Sequence, residues 1–272
     1  MKPFVAEIIG TALLVLLGNG VVANVLLSRT KGNGAGWVVI TAGWGMAVYV
    51  AAFSVSAFSG AHLNPAVTIA LAAGGKFPAP AAGTSAAAAG GTHAVVMVLG
   101  YIAAQMIGGF LGAVLVWLFY SKHFEATQDA DLKLACFSTA PNIRSIPTAV
   151  FCEIVGTFVL VLPIFLIVDP SLQFDVGGGP PKPLQLGLGA LGALPVGLLV
   201  FAIGMSLGGT TGYAINPARD LAPRIAHFLL PIPGKRDSDW GYAWVPVVGP
   251  IIGGILAAGV AKLLMWKGGS VP

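Results

Sequence analysis

Two short strings carry most of the chemistry in this chain. Asn64-Pro65-Ala66 and Asn216-Pro217-Ala218 each place an amide side chain just before a proline. Asn is a preferred helix N-cap, and Pro suits the first helical position because its missing N–H would be unsatisfied there anyway. Each string therefore reads as the start of a short helix, over roughly 65–73 and 217–230. An asparagine amide can donate a hydrogen bond to a passing hydroxyl or water oxygen. Two helix N-termini that meet would each bring about half a positive charge. A cation or hydronium is repelled there, and a neutral molecule is not. One Asn-Pro pair marks only a turn. Two pairs in register with an internal repeat mark a paired site.

Three charged residues sit close to this chemistry in otherwise apolar surroundings. They are Glu7, Glu153 and Arg219. Only 9% of the 272 residues are charged and 56% are hydrophobic, with a mean hydropathy of +0.87. A soluble domain carries about 25% charged residues to cover its surface. The shortfall excludes a disordered chain, a coiled coil and an ordinary soluble enzyme, and it implies a surface that faces lipid. The net charge is +4, but the 14 Lys and Arg are scattered, so no nucleic-acid footprint exists. Cys136 and Cys152 form neither a disulfide framework nor a metal pattern.

A membrane-crossing helix needs about 20 mostly apolar residues. Six stretches qualify, at roughly 4–27, 37–58, 93–119, 149–168, 184–207 and 243–265. The two Asn-Pro-Ala helices are too short to cross and fit the re-entrant class. The first span carries Glu7 and no cleavage site, so it reads as a retained helix and not a signal peptide. Residues 78–92 and 169–183 are Gly/Pro-rich and read as flexible connectors. The polar stretch at about 121–148 reads as a solvated loop.

An internal repeat organises these spans. Glu7-Ile-Ile-Gly-Thr matches Glu153-Ile-Val-Gly-Thr, at an offset of 146 residues. Gly60 and Asn64-Pro65-Ala66 match Gly212 and Asn216-Pro217-Ala218, at an offset of 152. Ile107-Gly108-Gly109 matches Ile252-Gly253-Gly254, at an offset of 145. The whole of 1–272 reads as one membrane domain, with halves of about 1–120 and 149–268. Each half holds three spans, an odd number, so the second half lies inverted in the membrane. Inverted repeats of this kind build transport proteins with a site near the midplane. The expected fold class is an all-α membrane protein of six transmembrane helices and two re-entrant half-helices.

The strings SGAHLNPAVTIAL and TGYAINPARDLAP resemble the two signature loops of the major intrinsic proteins, the aquaporin and aquaglyceroporin family. The resemblance covers essentially the whole chain. Asp220 after Arg219 is similar to the glycerol-conducting branch. The resemblance implies a selectivity constriction of four residues, identified by their spacing from the motif asparagines: Trp44, Gly204, Tyr213 and Arg219. The branch carries Phe where this chain has Tyr213. The added hydroxyl makes the constriction narrower or more polar. Two aromatic faces suit the CH backbone of glycerol, and Arg219 offers several N–H donors. The resemblance also implies a passive channel for glycerol and other small uncharged solutes, with water as a second permeant. It implies a homotetramer in the cell membrane with cytoplasmic termini, and no cofactor, metal or catalytic group. Lys and Arg number five on one side and seven on the other under that orientation, so charge alone does not choose it.

The remaining site residues follow from the same picture. The stretches Gly60, Ala61, His62, Leu63 and Thr211, Gly212, Ala214 would line the pore with backbone carbonyls, since non-helical backbone at this depth must face a wet cavity. Glu7 and Glu153 either brace these loops or relay protons, and the resemblance favours bracing; Asp220 joins them as loop support. His62 is either a pH gate or a loop-packing residue. Small residues at four-residue spacing (Ala104, Gly108, Gly112 and Gly249, Gly253, Ala257) allow close helix contact, within the chain or between subunits. Three rival functions remain. They are a water-selective channel, a channel for another neutral solute such as protonated lactic acid or urea, and a secondary active transporter.

Overall fold

The structure is a computed structural model that describes residues 2–77, 92–168, 171–174, 182–185 and 187–265. Among these, six apolar helical segments are long enough to cross a membrane. They comprise α1 (Lys2–Leu26), α2 (Trp37–Ser59), α4 (Thr92–Phe119), α7 (Ile146–Leu166), Gly189–Leu207, which includes α8 (Leu194–Leu207), and α10 (Val245–Met265). Two short helices complete the set: α3 (Pro65–Ala73) and α9 (Pro217–Leu229). In α3 the Asn64 side chain accepts from Ala66 N, and in α9 Asn216 accepts from Ala218 N and Arg219 N. Both asparagines are therefore N-caps, as their position before proline predicts.

Three expectations need correcting. The fifth span starts later than residue 184, because Lys182–Gln185 pairs antiparallel with Ser171–Phe174 as β2 and β1. Regular helix begins only at Gly189, as a 3-10 turn leading into α8. Part of the 169–183 stretch is thus a hairpin, and the fold is all-α apart from it. The 78–91 part of the other connector lies outside the described residues. The 121–148 stretch is not a simple solvated loop. It contains α5 (Ser121–Ala126) and α6 (Ala130–Ala135), and it buries Phe124, Leu134, Phe137 and Thr139. Its apolar residues fall too irregularly for periodicity to reveal that it packs.

The glycine pairs of the repeat explain how the helices assemble. Helix α1 packs on α2 and α4, and α7 packs on α10. A Cβ at Gly108 would stand 2.4 Å from Ile8 O, and one at Gly253 would stand 2.2 Å from Ile154 O. These two glycines let α4 and α10 press against α1 and α7. Their neighbours serve the opposite half. A Cβ at Gly109 would lie 2.6 Å from Ala218 O, and one at Gly254 would lie 3.1 Å from Ala66 O. So α9 seats on α4, and α3 seats on α10. Each half grips the short helix of the other. The small-residue rows at Gly108, Gly112, Gly249 and Gly253 thus serve packing within the chain.

Candidate functional site

The N-termini of α3 and α9 meet. Asn64 Nδ2 donates to Ile215 O at 2.8 Å, and Asn216 Nδ2 donates to Leu63 O at 2.8 Å. Each amide has a second N–H beyond this crossed bond.

The loops that lead into these helices have matching, strained backbones. Gly60 (φ 81°), Ala61 (51°) and Leu63 (54°) lie in the left-handed region, as do Gly212 (83°), Tyr213 (38°) and Ile215 (44°). Such conformations cost about 1–3 kcal/mol each for non-glycine residues and persist only when surroundings hold them. Two buried carboxylates do the holding. Glu7 accepts from His62 N (3.0 Å), Leu63 N (2.8 Å), Ser59 Oγ (2.6 Å) and Gln105 Nε2 (2.8 Å). Glu153 accepts from Ala214 N (3.0 Å), Ile215 N (2.8 Å) and Thr211 Oγ1 (2.8 Å). With the N–H groups turned to the carboxylates, the carbonyls of Gly60, Ala61, His62, Gly212, Tyr213 and Ala214 receive no hydrogen bond from the described residues. These loops line the two cavities.

Two cavities lie along this line. One, of about 460 Å³, is lined by both loops, both motif asparagines and residues of the 187–193 turn. The other, of about 690 Å³, is lined by residues of 131–144, by Gly208–Thr210 and Gly212, and by Arg236 and Asp239. Trp44, Tyr213 and Arg219 line both cavities and so form the neck between them. The Arg219 guanidinium carbon lies 4.2 Å from the Trp44 ring centroid. Gly204 lines neither cavity. It stands behind Tyr213, where a Cβ would come within 2.7 Å of Tyr213 Cζ. The room that Gly204 leaves is occupied by the Tyr213 ring.

Asp220 and Arg224 sit beside the neck with side chains fully buried. Arg224 donates to Asp220 Oδ1 from Nε (3.0 Å) and Nη2 (2.8 Å), which is the i,i+4 pair expected along α9. Asp220 Oδ2 also accepts from Thr139 N and Oγ1, both at 2.6 Å. Arg224 reaches Ser238 O and Thr139 O at 2.8 Å. This network ties α9 to the two loops that wall the larger cavity. On that wall Arg144 grips Asp239 with two bonds of 2.6 and 2.9 Å. The guanidinium holds the Asp239 carboxyl below the usual carboxylate range. Arg236 pairs with Asp131 and Asp237.

Of the residues expected to face the passage, Gly204 and Thr211 line neither cavity: Gly204 stands behind Tyr213, and Thr211 turns its hydroxyl to Glu153. Leu63 lines the smaller cavity, but its carbonyl is taken by Asn216 Nδ2. His62 lines the smaller cavity, and its Nδ1 lies 3.1 Å from Thr68 Oγ1. Sequence reasoning missed Gln105, Thr68, Ser59 and Thr139. Each works through a contact distant in sequence, and no local pattern marks it.

Six membrane-length helices around a route with a polar neck define a membrane channel. The chain is an integral, multi-pass membrane protein. Residues 1–260 match the sequence profile of the family described as Major intrinsic protein, and the chain belongs to that family. It is 48% identical over 270 residues to the probable glycerol uptake facilitator protein of Thermotoga maritima, covering 97% of this chain and 100% of the relative. It is 50% identical to the glycerol uptake facilitator protein of Bacillus subtilis over 93% of this chain and 81% of the relative. Among solved structures it is similar to the aquaglyceroporin from Plasmodium falciparum. The TM-score is 0.75 at 28% identity, covering 97% of this chain and 96% of that one.

Proposed function

We propose that this protein is a passive channel for glycerol and other small uncharged solutes, with water as a second permeant. The neck carries this reading. Trp44 and Tyr213 offer aromatic surface to a CH backbone, and Arg219 offers N–H donors at the same level. Along the route the free carbonyls accept the protons of hydroxyl groups, and the second N–H of Asn64 and of Asn216 donates to their oxygens. Ions are disfavoured by the two opposed helix N-termini and by Arg219. The names borne by the relatives support glycerol as the solute.

In this reading Trp44, Gly204, Tyr213 and Arg219 form the selectivity constriction. Glu7, Glu153 and Asp220 support the loops. The two halves, about 1–120 and 149–268, form one channel domain. The protein works as a homotetramer in the cell membrane with its termini in the cytoplasm.

Stopped-flow light scattering on proteoliposomes tests the proposal. Glycerol flux should exceed that of protein-free vesicles and equilibrate without accumulation, with or without an H⁺ or Na⁺ gradient. Water flux without glycerol flux would refute the solute. Gradient-driven accumulation would refute a passive channel altogether.

A further inference from the structure

We infer that His227 is an acid-sensitive joint behind the wall of the larger cavity. Protonation of its imidazole loosens residues 230–244 from α9 and lowers flux. The inference goes beyond the passive-channel reading and adds a control to that route.

His227 sits near the end of α9 and is fully buried. Its Nδ1 lies 2.8 Å from Ser238 Oγ, and its Nε2 has no partner among the described residues. A neutral imidazole has one N–H, and Ser238 Oγ can accept it. The charged form has two N–H groups, and each needs an acceptor. The second finds none here. Protonation therefore leaves a buried donor unmet and a buried charge without a counter-ion, and both are costly.

The surrounding charges make this worse. Lys235, Arg224 and Arg236 bear on the ring, against the single carboxylate of Asp237. That carboxylate is bound to Arg236. Lys235 Nζ donates to the carbonyl of His227 itself at 2.6 Å, and to Phe228 O and Leu230 O. On α9, Asp220 is already bound to Arg224 and Thr139. From the facing loop, Phe137 packs edge-on against the imidazole, with centroids 5.3 Å apart. In that loop Asp131 pairs with Arg236, and Lys133 donates to Pro233 O. Helices α3 and α4, which also pack on α9, contain no Asp, Glu, Lys or Arg, and α10 contains only Lys262. In α1, Glu7 is held by the first loop.

Ser238 passes the effect to the route. Its hydroxyl meets His227, and its carbonyl accepts from Arg224 Nη1 at 2.8 Å. Its neighbours Arg236 and Asp239 line the larger cavity, as does Arg219, next to Asp220. An imidazolium forced out of its pocket pulls on this joint and displaces the wall. The unfolded chain takes the same proton freely near pH 6.5. Stability therefore falls as pH drops below that value, because the unfolded state binds more protons than the native one.

The test compares wild type with His227→Asn, which keeps an amide near the place of Nδ1 and does not titrate. Glycerol permeability is measured in proteoliposomes, and unfolding midpoints in detergent, from about pH 7.5 to about pH 4.5, a range that brackets the ordinary histidine value. Wild-type flux should fall about fivefold or more in acid, the effect of one unmet buried donor, and recover on return to neutral pH. His227→Asn should hold its flux, and its midpoint should fall less than that of wild type. Matching pH profiles for the two proteins would overturn the proposal. If His227→Asn does not fold, Ser238→Ala decides by breaking the joint from the other side. It should show at neutral pH the low flux that wild type reaches in acid, and wild-type flux at neutral pH overturns the proposal. A wild type without glycerol flux at neutral pH refutes the channel reading instead, and the unfolding midpoints then test the joint alone.

Discussion

Asn64 and Asn216 are bonded to each other's loops. Each amide donates at 2.8 Å to the carbonyl just before the other asparagine, at Ile215 and Leu63. The same side chains cap the helices that follow them. One residue type thus closes a helix end and joins the two halves of the chain. Asn64→Ala should lose the cap, worth about 1 kcal/mol, and leave Ile215 O unpaired at a further cost of about 1–3 kcal/mol. Thermal unfolding in detergent should show the loss, and glycerol flux should drop. Asn216→Ala should behave alike, because its bonds are equivalent.

The carboxylates make a second prediction. Glu153 accepts three donors and Glu7 accepts four. Glutamine has one acceptor oxygen, and its amide nitrogen cannot take the remaining N–H. Glu153→Gln and Glu7→Gln should each cost about 1–3 kcal/mol of stability and reduce glycerol flux. A proton relay would behave differently, leaving stability intact while flux came to depend on a pH gradient. Unfolding midpoints and flux under a gradient separate the two roles.

Gly204 tests the packing behind the neck. A Cβ there would stand 2.8 Å from both Tyr213 Oη and Thr41 Cγ2. Gly204→Ala should push the Tyr213 ring into the passage and lower glycerol permeability more than water permeability. Equal losses for both solutes would contradict this geometry.

The helix contacts offer a paired comparison within α10. Gly253→Ala would place a methyl 2.2 Å from Ile154 O, which is backbone and cannot give way locally. Overpacking of this kind costs about 1–3 kcal/mol. Gly259 has open space within 4 Å, so Gly259→Ala should leave the unfolding temperature almost unchanged.

The Arg144–Asp239 pair sets a pH expectation. Its Asp239 carboxyl titrates below its ordinary value because Arg144 donates two bonds to it. A depressed native pKa adds stability above the unfolded pKa of about 3.9, and that stability fades as pH falls through the native value. The difference in unfolding midpoint between wild type and Asp239→Asn should therefore hold from pH 7 to about pH 4 and close below it. A difference that closes between pH 5 and 7 would point to another group.

Much of this architecture is legible in the residues alone, because its causes are local. Apolar runs of spanning length, Asn before Pro at a helix start, and the repeated Glu-Ile-x-Gly-Thr string need no knowledge of distant contacts. The four residues of the proposed constriction come from family resemblance and their spacing from the motif asparagines, and three of them, Trp44, Tyr213 and Arg219, line both cavities. Position in sequence does not say which of them touches the passage. Gly204 lies behind Tyr213 and lines neither cavity.

Tertiary structure decided the rest. Glu7 binds a loop 55 residues away, and Thr139 binds Asp220 across 81. The left-handed turns at Leu63, Tyr213 and Ile215 exist only because those distant carboxylates hold them. The swapped seats of α3 and α9 likewise arise from contacts between remote segments. Periodicity and capping act within a few residues. The geometry that selects a solute is set by side chains that meet only when both halves have packed.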